Sequence, residues 1–233
     1  MRLILVRHGQ TSSNVAGALD TAAPGASLTD LGRRQADALV DAFADETFAR
    51  AHASNRVRTQ ETAAPLVAAH GLTLEVVDGL GEISAGEHEM GTSAEAVRAY
   101  VGCVAGWLTG DLDATIRGGE TGHEFLARYD AALRAVAERS TEGAASLVVS
   151  HGAAIRAYVG IRAAQADSDQ LAGSRLGNTG GAVLEGDPDA GWRLLRWSGD
   201  PFGGAHLADE AAHDVTGESA EEAVEDAEET SGH

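Results

Sequence analysis

The chain has 233 residues, with 36 acidic side chains against 17 basic ones and a formal net charge of −19. All 17 basic residues are arginines, because the sequence contains no lysine, and this excludes Schiff-base chemistry at a lysine amine. So acidic a chain is a poor candidate for nucleic-acid binding or for attachment to anionic lipids, since both need a basic surface. The length and the hydrophobic content of 43% fit one large globular domain.

The cysteine count and the apolar runs bear on the cellular compartment. The single cysteine, Cys103, cannot form a disulfide within the chain, which is typical of a reducing compartment. Residues 3–6 are too short an apolar run for the core of a signal peptide, and no run approaches the roughly 20 apolar residues of a membrane-spanning helix. We therefore expect a cytoplasmic protein that binds neither membranes nor nucleic acids.

Strand and helix patterns alternate along the chain. Short apolar runs predict strands at 3–6, 49–54, 74–77 and 147–150, and a hairpin of two strands at 182–184 and 192–197. Apolar residues at helical spacing predict helices at 30–44 (capped by Thr29), 58–70 (with Pro65 at its start or at a bend), 94–108 (capped by Ser93), 122–139 and 152–159. This order predicts an α/β domain, a three-layer α/β/α sandwich around a mostly parallel central sheet.

The end of the chain differs from the rest in charge. From Asp209 to His233 there are ten acidic residues and no basic one, which leaves a charge of −9 for residues 1–208. We expect a folded domain over residues 1–208 and a disordered acidic tail over residues 209–233, because like charges repel and few apolar residues are available for a core. A solubilising extension is a simpler interpretation of this tail than a binding segment.

Two of the predicted buried strands end in the same way. The first runs into Arg7-His8-Gly9, and a later one runs into Ser150-His151-Gly152. Ligands of α/β domains bind at the carboxyl ends of the strands, and glycine lets the backbone approach a ligand closely. One such histidine is more often an ordinary loop residue. Two facing histidines, however, can supply a nucleophile and a stabilising charge at one anion.

The first of these motifs carries a family resemblance. The run Arg7-His8-Gly9-Gln10-Thr11 resembles the Arg-His-Gly-x-Thr signature of the histidine phosphatase superfamily, which includes the cofactor-dependent phosphoglycerate mutases. Five further segments are similar to motifs of this family and follow its order: Leu28–Gly32, Ala53–Ala63, Leu80–Gly86, Gly118–Glu120 and Ser150–Gly152. Only the first motif is specific by itself, and the six together span about residues 3–198.

The resemblance implies phosphoryl transfer through histidine, with residues 1–208 as the catalytic domain. His8 would attack phosphorus and form a phosphohistidine, while Glu82 would protonate the leaving oxygen and then deprotonate water. Arg7 and Arg58 would hold the phosphoryl oxygens, and His151, protonated when phosphate is bound, would add a further donor. The other substrate-binding residues that the family implies are Gly9, Gln10, Thr11, Asn14 and Gly152. Because cationic side chains supply the positive charge, we expect no metal and no cofactor.

The choice of the second arginine depends on the alignment with the family. Arg58 is taken as the clamp because Thr62-Ala63 then falls where the family has Thr-Ala. Arg56 occupies a position that is usually apolar in the family. A solvent-exposed charge is a somewhat better interpretation of Arg56 than a substrate contact.

The choice of the acid rests on its surroundings in the sequence. Glu82 lies in a Leu-x-Glu-x-x-x-Gly context like that of the family, whereas the nearby Glu87 and Glu89 do not. The family usually continues with Gly-x-Trp-Glu-Gly, and here His88 stands where tryptophan is common. Since that segment borders the substrate pocket in the family, the natural substrate stays open.

The motifs favour a phosphatase that acts on a small phosphorylated metabolite, and two alternatives remain. One is a phosphoglycerate mutase. The stretch between Glu82 and His151 is compact, whereas the mutases usually carry a longer insertion there with added basic residues. The other alternative is a non-catalytic relative that binds a phospho-ligand or a protein. Such relatives usually lack the nucleophilic histidine or the acid, and both candidates are present in this chain.

Overall fold

The computed structural model describes residues 1–141, 143–209 and 212–231, and these form seven strands and eight α-helices. The strands are β1 (Arg2–Arg7), β2 (Phe48–Ala53), β3 (Leu74–Val76), β4 (Ala145–Ser150), β5 (Ala163–Ala164), β6 (Gly181–Asp187) and β7 (Gly191–Ser198). The helices are α1 (Ser12–Val15), α2 (Asp30–Ala42), α3 (Val57–Ala69), α4 (Ala94–Leu108), α5 (Gly122–Ala137), α6 (Gly152–Arg162), α7 (Ser168–Ala172) and α8 (Ala220–Ser231).

The strands form a single sheet in the order β3-β2-β4-β1-β6-β7-β5. The pairs β3–β2, β2–β4, β4–β1 and β7–β5 are parallel, whereas β1–β6 and β6–β7 are antiparallel. Every residue of β4 is buried, as expected for a strand covered on both faces. The predicted mostly parallel sheet and the predicted hairpin are both confirmed.

Helices cover both faces of the sheet. Along β1, Leu3 and Leu5 join a hydrophobic cluster with residues of α4, α5, α6 and α8, whereas Ile4 and Val6 join a second cluster with residues of α2 and α3. This division follows from the alternation of side chains along a strand. The predicted three-layer sandwich is therefore confirmed.

The starts of the long helices are set by capping side chains. The hydroxyls of Thr29, Ser93 and Thr121 accept hydrogen bonds from the first turns of α2, α4 and α5, so the two predicted caps, Thr29 and Ser93, are confirmed. Pro65 lies inside α3 and does not begin it. Among the described residues, no helix is long and apolar enough to cross a membrane.

The C-terminal segment differs from the expected disordered tail. Residues 212–219 cross the carboxyl edge of the sheet and lead into α8, which packs against α4. Ala223 and Ala227, one helical turn apart, are fully buried there, and Ser219 and Glu222 form reciprocal capping hydrogen bonds at the start of α8. Small apolar side chains at helical spacing thus form the face of α8 that packs against α4, although most of the surrounding residues are acidic. Residues 210, 211, 232 and 233 of the predicted tail lie outside the described residues.

Candidate active site

Three parallel strands bring the site residues to one edge of the sheet. β1 ends at Arg7, directly before His8, β4 ends directly before His151, and β2 ends directly before Ser54. Because β1, β4 and β2 are adjacent and parallel, their carboxyl ends meet. The two histidine rings lie 5.2 Å apart between centroids, so the structure brings the two predicted motifs together.

The hydrogen bonding of His8 defines its tautomer. Its Nδ1 lies 2.8 Å from the carbonyl oxygen of Gly9, and a carbonyl only accepts, so Nδ1 carries the proton and donates. Burial lowers the pKa of the His8 imidazole well below its usual value, and the positive charges of Arg58 and Arg7 lower it further. His8 is therefore a neutral imidazole at pH 7 with its lone pair on Nε2, the form that a nucleophile needs.

His151 is oriented by a hydroxyl at the end of β2. Its Nε2 lies 2.8 Å from Oγ of Ser54, while its buried Nδ1 has no hydrogen-bond partner among the described residues. Burial lowers the pKa of His151 well below its usual value, and the charge of Arg58 adds to this effect. An anion bound nearby would raise that pKa again, since it favours the charged form.

Arg58 reaches the site from the first turn of α3 and is held by the loop before α2. Its Nη2 donates to the carbonyl oxygen of Asp20 at 2.7 Å, and its Nη1 lies 3.6 Å from the Asp20 carboxylate. Nη1 is buried and has no hydrogen-bond partner in the described part of the chain. A buried donor in this condition is costly unless a ligand accepts its hydrogen bond.

Glu82 lies against the N-terminus of α6. Its Oε1 accepts hydrogen bonds from the amides of Ile83 and Ala154, both at 2.9 Å, and its Oε2 accepts from the amide of Ala153 at 3.2 Å. These bonds favour the charged form, but the burial of the carboxyl outweighs them and raises the pKa of Glu82. A carboxyl whose pKa is raised can hold a proton closer to neutral pH, as a general acid must.

One small cleft joins most of these groups. It is lined by His8, Thr11, Ser13, Asn14, Ala18, Asp20, Arg58, Glu82 and Thr216. Five of the residues predicted from the motifs therefore share the cleft: His8, Thr11, Asn14, Arg58 and Glu82.

Arg7 is fully buried, and its guanidinium fork is taken by a carboxylate of the C-terminal segment. Its two terminal nitrogens donate to the two oxygens of Asp214, both at 2.6 Å, and Nη2 also donates to the hydroxyl of Thr216 at 2.9 Å. Asn14 Nδ2 donates to the same Asp214 carboxylate at 2.9 Å. Two predicted phosphate donors thus share an internal anion, and only Nε of Arg7 lacks a hydrogen-bond partner among the described residues.

The remaining predicted residues have backbone or structural partners. The Gly9 amide donates to the Thr62 hydroxyl, and the Gln10 side chain bridges the Thr29 hydroxyl and the Asp209 carboxylate. Neither group lines the cleft. Gly152 begins α6 behind Arg7, where a Cβ would lie 2.3 Å from the carbonyl oxygen of Thr216, so only glycine fits.

The neighbouring charges that the sequence left as alternatives have structural roles. Arg56 is half-buried and donates from Nε and Nη2 to the carbonyl of Thr21, so it is neither solvent-exposed nor in the cleft. Glu89 accepts from the amides of Thr21 and Ala22, whereas Glu87 lies half-exposed beside Arg117.

Sequence reasoning missed four residues at the site. Ser54 and Asp20 hold His151 and Arg58, and Asp214 and Thr216 contact Arg7. Ser54 carries a usable signal, since it is the last residue of the strand predicted at 49–54 and so lies at the ligand-binding edge. The other three lie in a loop and in the acidic segment, where no local pattern marks them.

Comparison with known proteins places this geometry in a family. Residues 3–200 match the model of the histidine phosphatase superfamily, branch 1. The chain therefore belongs to the histidine phosphatase superfamily, as the sequence motifs indicated.

Several relatives and solved structures are similar to the chain. It is 34% identical over 217 residues to a PE-PGRS family protein of Mycobacterium tuberculosis, which covers 87% of the chain but only 37% of that relative's length. It is 31% identical over 130 residues to the adenosylcobalamin/alpha-ribazole phosphatase of Salmonella typhimurium, covering 56% of the chain and 64% of the relative. A solved mycobacterial glucosyl-3-phosphoglycerate phosphatase matches with a TM-score of 0.69 at 26% identity, covering 84% of the chain and 98% of that structure.

Proposed function

We propose that the chain is a phosphatase that hydrolyses a small phosphomonoester through a phosphohistidine on His8, with Glu82 as proton donor. The observation that carries the proposal is the pairing of a neutral buried imidazole with a buried carboxyl of raised pKa in one cleft. Arg58 lines the same cleft, and its buried Nη1 has no hydrogen-bond partner among the described residues, which fits an anionic substrate group.

The first step transfers the phosphoryl group to the enzyme. Because Nδ1 of His8 is committed to the Gly9 carbonyl, Nε2 forms the bond to phosphorus while the bond from phosphorus to the ester oxygen breaks. Protonated Glu82 gives its proton to the departing oxygen, so the alcohol leaves neutral.

The second step returns the enzyme to its starting state. The Glu82 carboxylate takes a proton from water as the water oxygen attacks phosphorus. The bond between phosphorus and Nε2 then breaks, and inorganic phosphate and neutral His8 are released. Glu82 regains the proton it gave up, so the cycle balances.

Positive charge at the cleft stabilises the phosphoryl oxygens. Arg58 Nη1 and His151 Nδ1 are both buried and without a hydrogen-bond partner among the described residues, so each can donate to a phosphoryl oxygen. The approach of that anion favours the protonated form of His151. Phosphoryl transfer depends mainly on such positioning and charge, so these donors can act without a metal ion.

The names of the similar proteins support a substrate class. One is named a glucosyl-3-phosphoglycerate phosphatase and another an adenosylcobalamin/alpha-ribazole phosphatase, and glucosyl-3-phosphoglycerate is a small polar phosphomonoester. We infer a substrate of that size for this chain.

The test compares two activities in the purified full chain. We expect hydrolysis of a generic aryl phosphate to exceed mutase turnover of phosphoglycerate. His8→Ala removes the nucleophile and should abolish hydrolysis without unfolding the protein, which thermal melting checks. His123→Ala, which alters an exposed histidine, is the matched control. Full activity of His8→Ala, or mutase turnover above hydrolysis, would contradict the proposal.

A further inference from the structure

The C-terminal segment contains a cluster of three ligating side chains, none of which lines the cleft. His213 Nδ1 lies 3.3 Å from Oε2 of Glu218 and 3.6 Å from Oδ2 of Asp226. The three ligating atoms all lie within 4.8 Å of one another. Residues 212–219, which we call the C-terminal strap, supply the first two side chains, and α8 supplies the third.

Buried polar atoms are normally hydrogen-bonded, but several atoms of this cluster have no hydrogen-bond partner among the described residues. Glu218 is only 2% exposed, and its Oε2 has no hydrogen-bond partner among the described residues. Neither ring nitrogen of His213 has such a partner there. Glu218 Oε1, by contrast, accepts from the amide of Asp214 at 2.6 Å, so only Oε2 remains for a ligand. A buried carboxylate oxygen left in this way is unfavourable unless a cation binds it.

The spacing matches a coordinated metal better than a hydrogen-bonded triad. Hydrogen bonds to a carboxylate would bring nitrogen and oxygen to about 2.7–2.9 Å. Metal–ligand bonds of about 2.0–2.1 Å in a tetrahedron instead place neighbouring ligand atoms roughly 3.3–3.4 Å apart. The two separations from His213, 3.3 and 3.6 Å, are close to the tetrahedral value, and all three ligand atoms lie within 4.8 Å of one another.

We propose that His213, Glu218 and Asp226 form a site for a divalent transition metal, with Zn²⁺ as the fitting ion. One imidazole nitrogen and two carboxylate oxygens are ligands that zinc accepts, and the exposed side of Asp226 leaves a fourth position to water. The bound metal joins the strap to α8. Because Glu218 also holds the Asp214 amide, the metal stabilises the strap in the position where Asp214 contacts Arg7.

Zinc binding by the metal-free full chain tests this proposal without any substrate. A chromophoric chelator competes for Zn²⁺ with wild type, His213→Ala, Glu218→Gln and the exposed-histidine control His123→Ala. Since loss of even an outer partner of a ligand lowers metal affinity roughly 10- to 100-fold, we expect at least that loss in the first two variants and none in the control.

The active-site histidines are a second place where zinc could bind, so His8→Ala is included in the series. Retention of the tight zinc site in His8→Ala supports the assignment to the strap. Equal zinc affinity in wild type and His213→Ala would overturn the proposal, whether or not the chain proves to be a phosphatase. Melting temperatures of the apo proteins show whether each variant is folded.

The contact between Asp214 and Arg7 carries a second inference, which rests on the proposed function. Asp214 accepts from both terminal nitrogens of Arg7 at 2.6 Å and from Asn14 Nδ2 at 2.9 Å. These are donors that the family resemblance assigns to the substrate phosphate. We infer that the Asp214 carboxylate is an internal competitor of the phosphoryl group, so the docked strap is an autoinhibitory contact.

Other contacts hold the strap in this position. Arg156, buried in α6, donates from Nη2 to the carbonyls of Gly217 and Glu218 at 3.1 and 2.9 Å. The Thr216 side chain lines the cleft beside His8, so the strap also narrows the space for a substrate. A substrate that reaches the Arg7 fork must displace Asp214.

The test measures equilibrium binding of inorganic phosphate and vanadate. Only molecules with an undocked strap can bind an anion at the Arg7 fork, so the apparent affinity is reduced by the undocked fraction. A strap that is docked in 90–99% of molecules would weaken anion binding about 10- to 100-fold. Asp214→Asn should therefore bind these anions about 10- to 100-fold more tightly than wild type. Glu228→Gln removes one charge from the exposed face of α8 and should change binding little.

Thr216→Val provides a second variant without a change in charge. It removes the hydroxyl that accepts from Arg7 Nη2, so it should also tighten anion binding, to a smaller extent. Unchanged or weaker binding by a folded Asp214→Asn would overturn the inference and make Asp214 a positioning residue for Arg7. Absence of phosphate and vanadate binding in every variant would instead contradict the proposed function.

Discussion

Glu82→Gln is the sharpest test of the proposed chemistry. The substitution keeps the shape of the side chain but removes the transferable proton. General acid catalysis contributes about 10²- to 10⁴-fold, so we expect kcat/KM for a simple alkyl phosphate to fall by that factor, or about 3–5 kcal/mol. An aryl phosphate with a good leaving group needs little protonation, and its hydrolysis should fall much less.

The structure also gives the expected effect on stability. The carboxylate accepts three backbone hydrogen bonds, and an amide has only one accepting oxygen. If that oxygen keeps the bonds from Ile83 and Ala154, the NH₂ group faces the amide of Ala153, another donor. One unsatisfied buried amide is unfavourable by about 1–3 kcal/mol, so the melting temperature should fall while the chain remains folded.

Kinetics with a leaving-group series, together with thermal melting, are the assay. Glu87→Gln is the matched control, because Glu87 follows in the same loop and is half-exposed beside Arg117. We expect this control to keep wild-type rates on both substrates. Equal losses on alkyl and aryl phosphates in Glu82→Gln, with the fold intact, would refute the assignment of Glu82 as the acid.

Three further predictions concern pH, the C-terminal helix and salt. The pKa values of His8 and His151 are lower in the folded state than in the unfolded state, so the unfolded state binds more protons at acidic pH. The free energy of unfolding should therefore be at its full value above about pH 6.5. As the pH is lowered further, it should decrease by up to about 1.4 kcal/mol per pH unit for each histidine. Chemical denaturation at a series of pH values should show that the free energy of unfolding decreases less steeply with falling pH in His8→Asn than in wild type. The same slope in both proteins would contradict this. Ala223→Glu places a charge at the buried face of α8 and should cost at least about 1–3 kcal/mol and speed proteolysis of the C-terminal segment, whereas the exposed helical control Ala68→Glu should not. The net charge of −19 should repel anionic substrates, so KM should fall as salt is raised from a low concentration, and a steady rise of KM would refute the argument.

Much of the fold could be predicted because its local signals agree with one another. Residues 3–6 of β1 and 147–149 of β4 are apolar and buried, and the helix starts carry capping hydroxyls at Thr29 and Ser93. Short elements such as β5, with two residues, and α1, with four, carry too few residues for a periodic pattern. They were therefore beyond prediction from the sequence.

The same contrast holds at the site. His8, Arg58 and Glu82 occupy motif positions, and the structure brings them to one cleft. Asp214 contacts Arg7 across 207 positions of sequence, and nothing local distinguishes it from the other acidic residues around it. The helix α8 had one usable signal, the Ser219-x-x-Glu222 capping box, but its buried residues are alanines, which give a weak hydrophobic pattern.

The arginine-only basic set explains how an acidic segment can fold against this site. Asp214 is matched by the fork of Arg7 with two parallel hydrogen bonds, a geometry that guanidinium provides and an ammonium does not. Arg156 binds the carbonyls of Ser174, Gly217 and Glu218 with one terminal nitrogen, although burial lowers its pKa to about 10. Its charge is still held at neutral pH, because that value is well above 7. The acidic C-terminal segment thus supplies hydrogen-bond partners to buried arginines, and one of its negative charges, on Asp214, contacts Arg7 at the site.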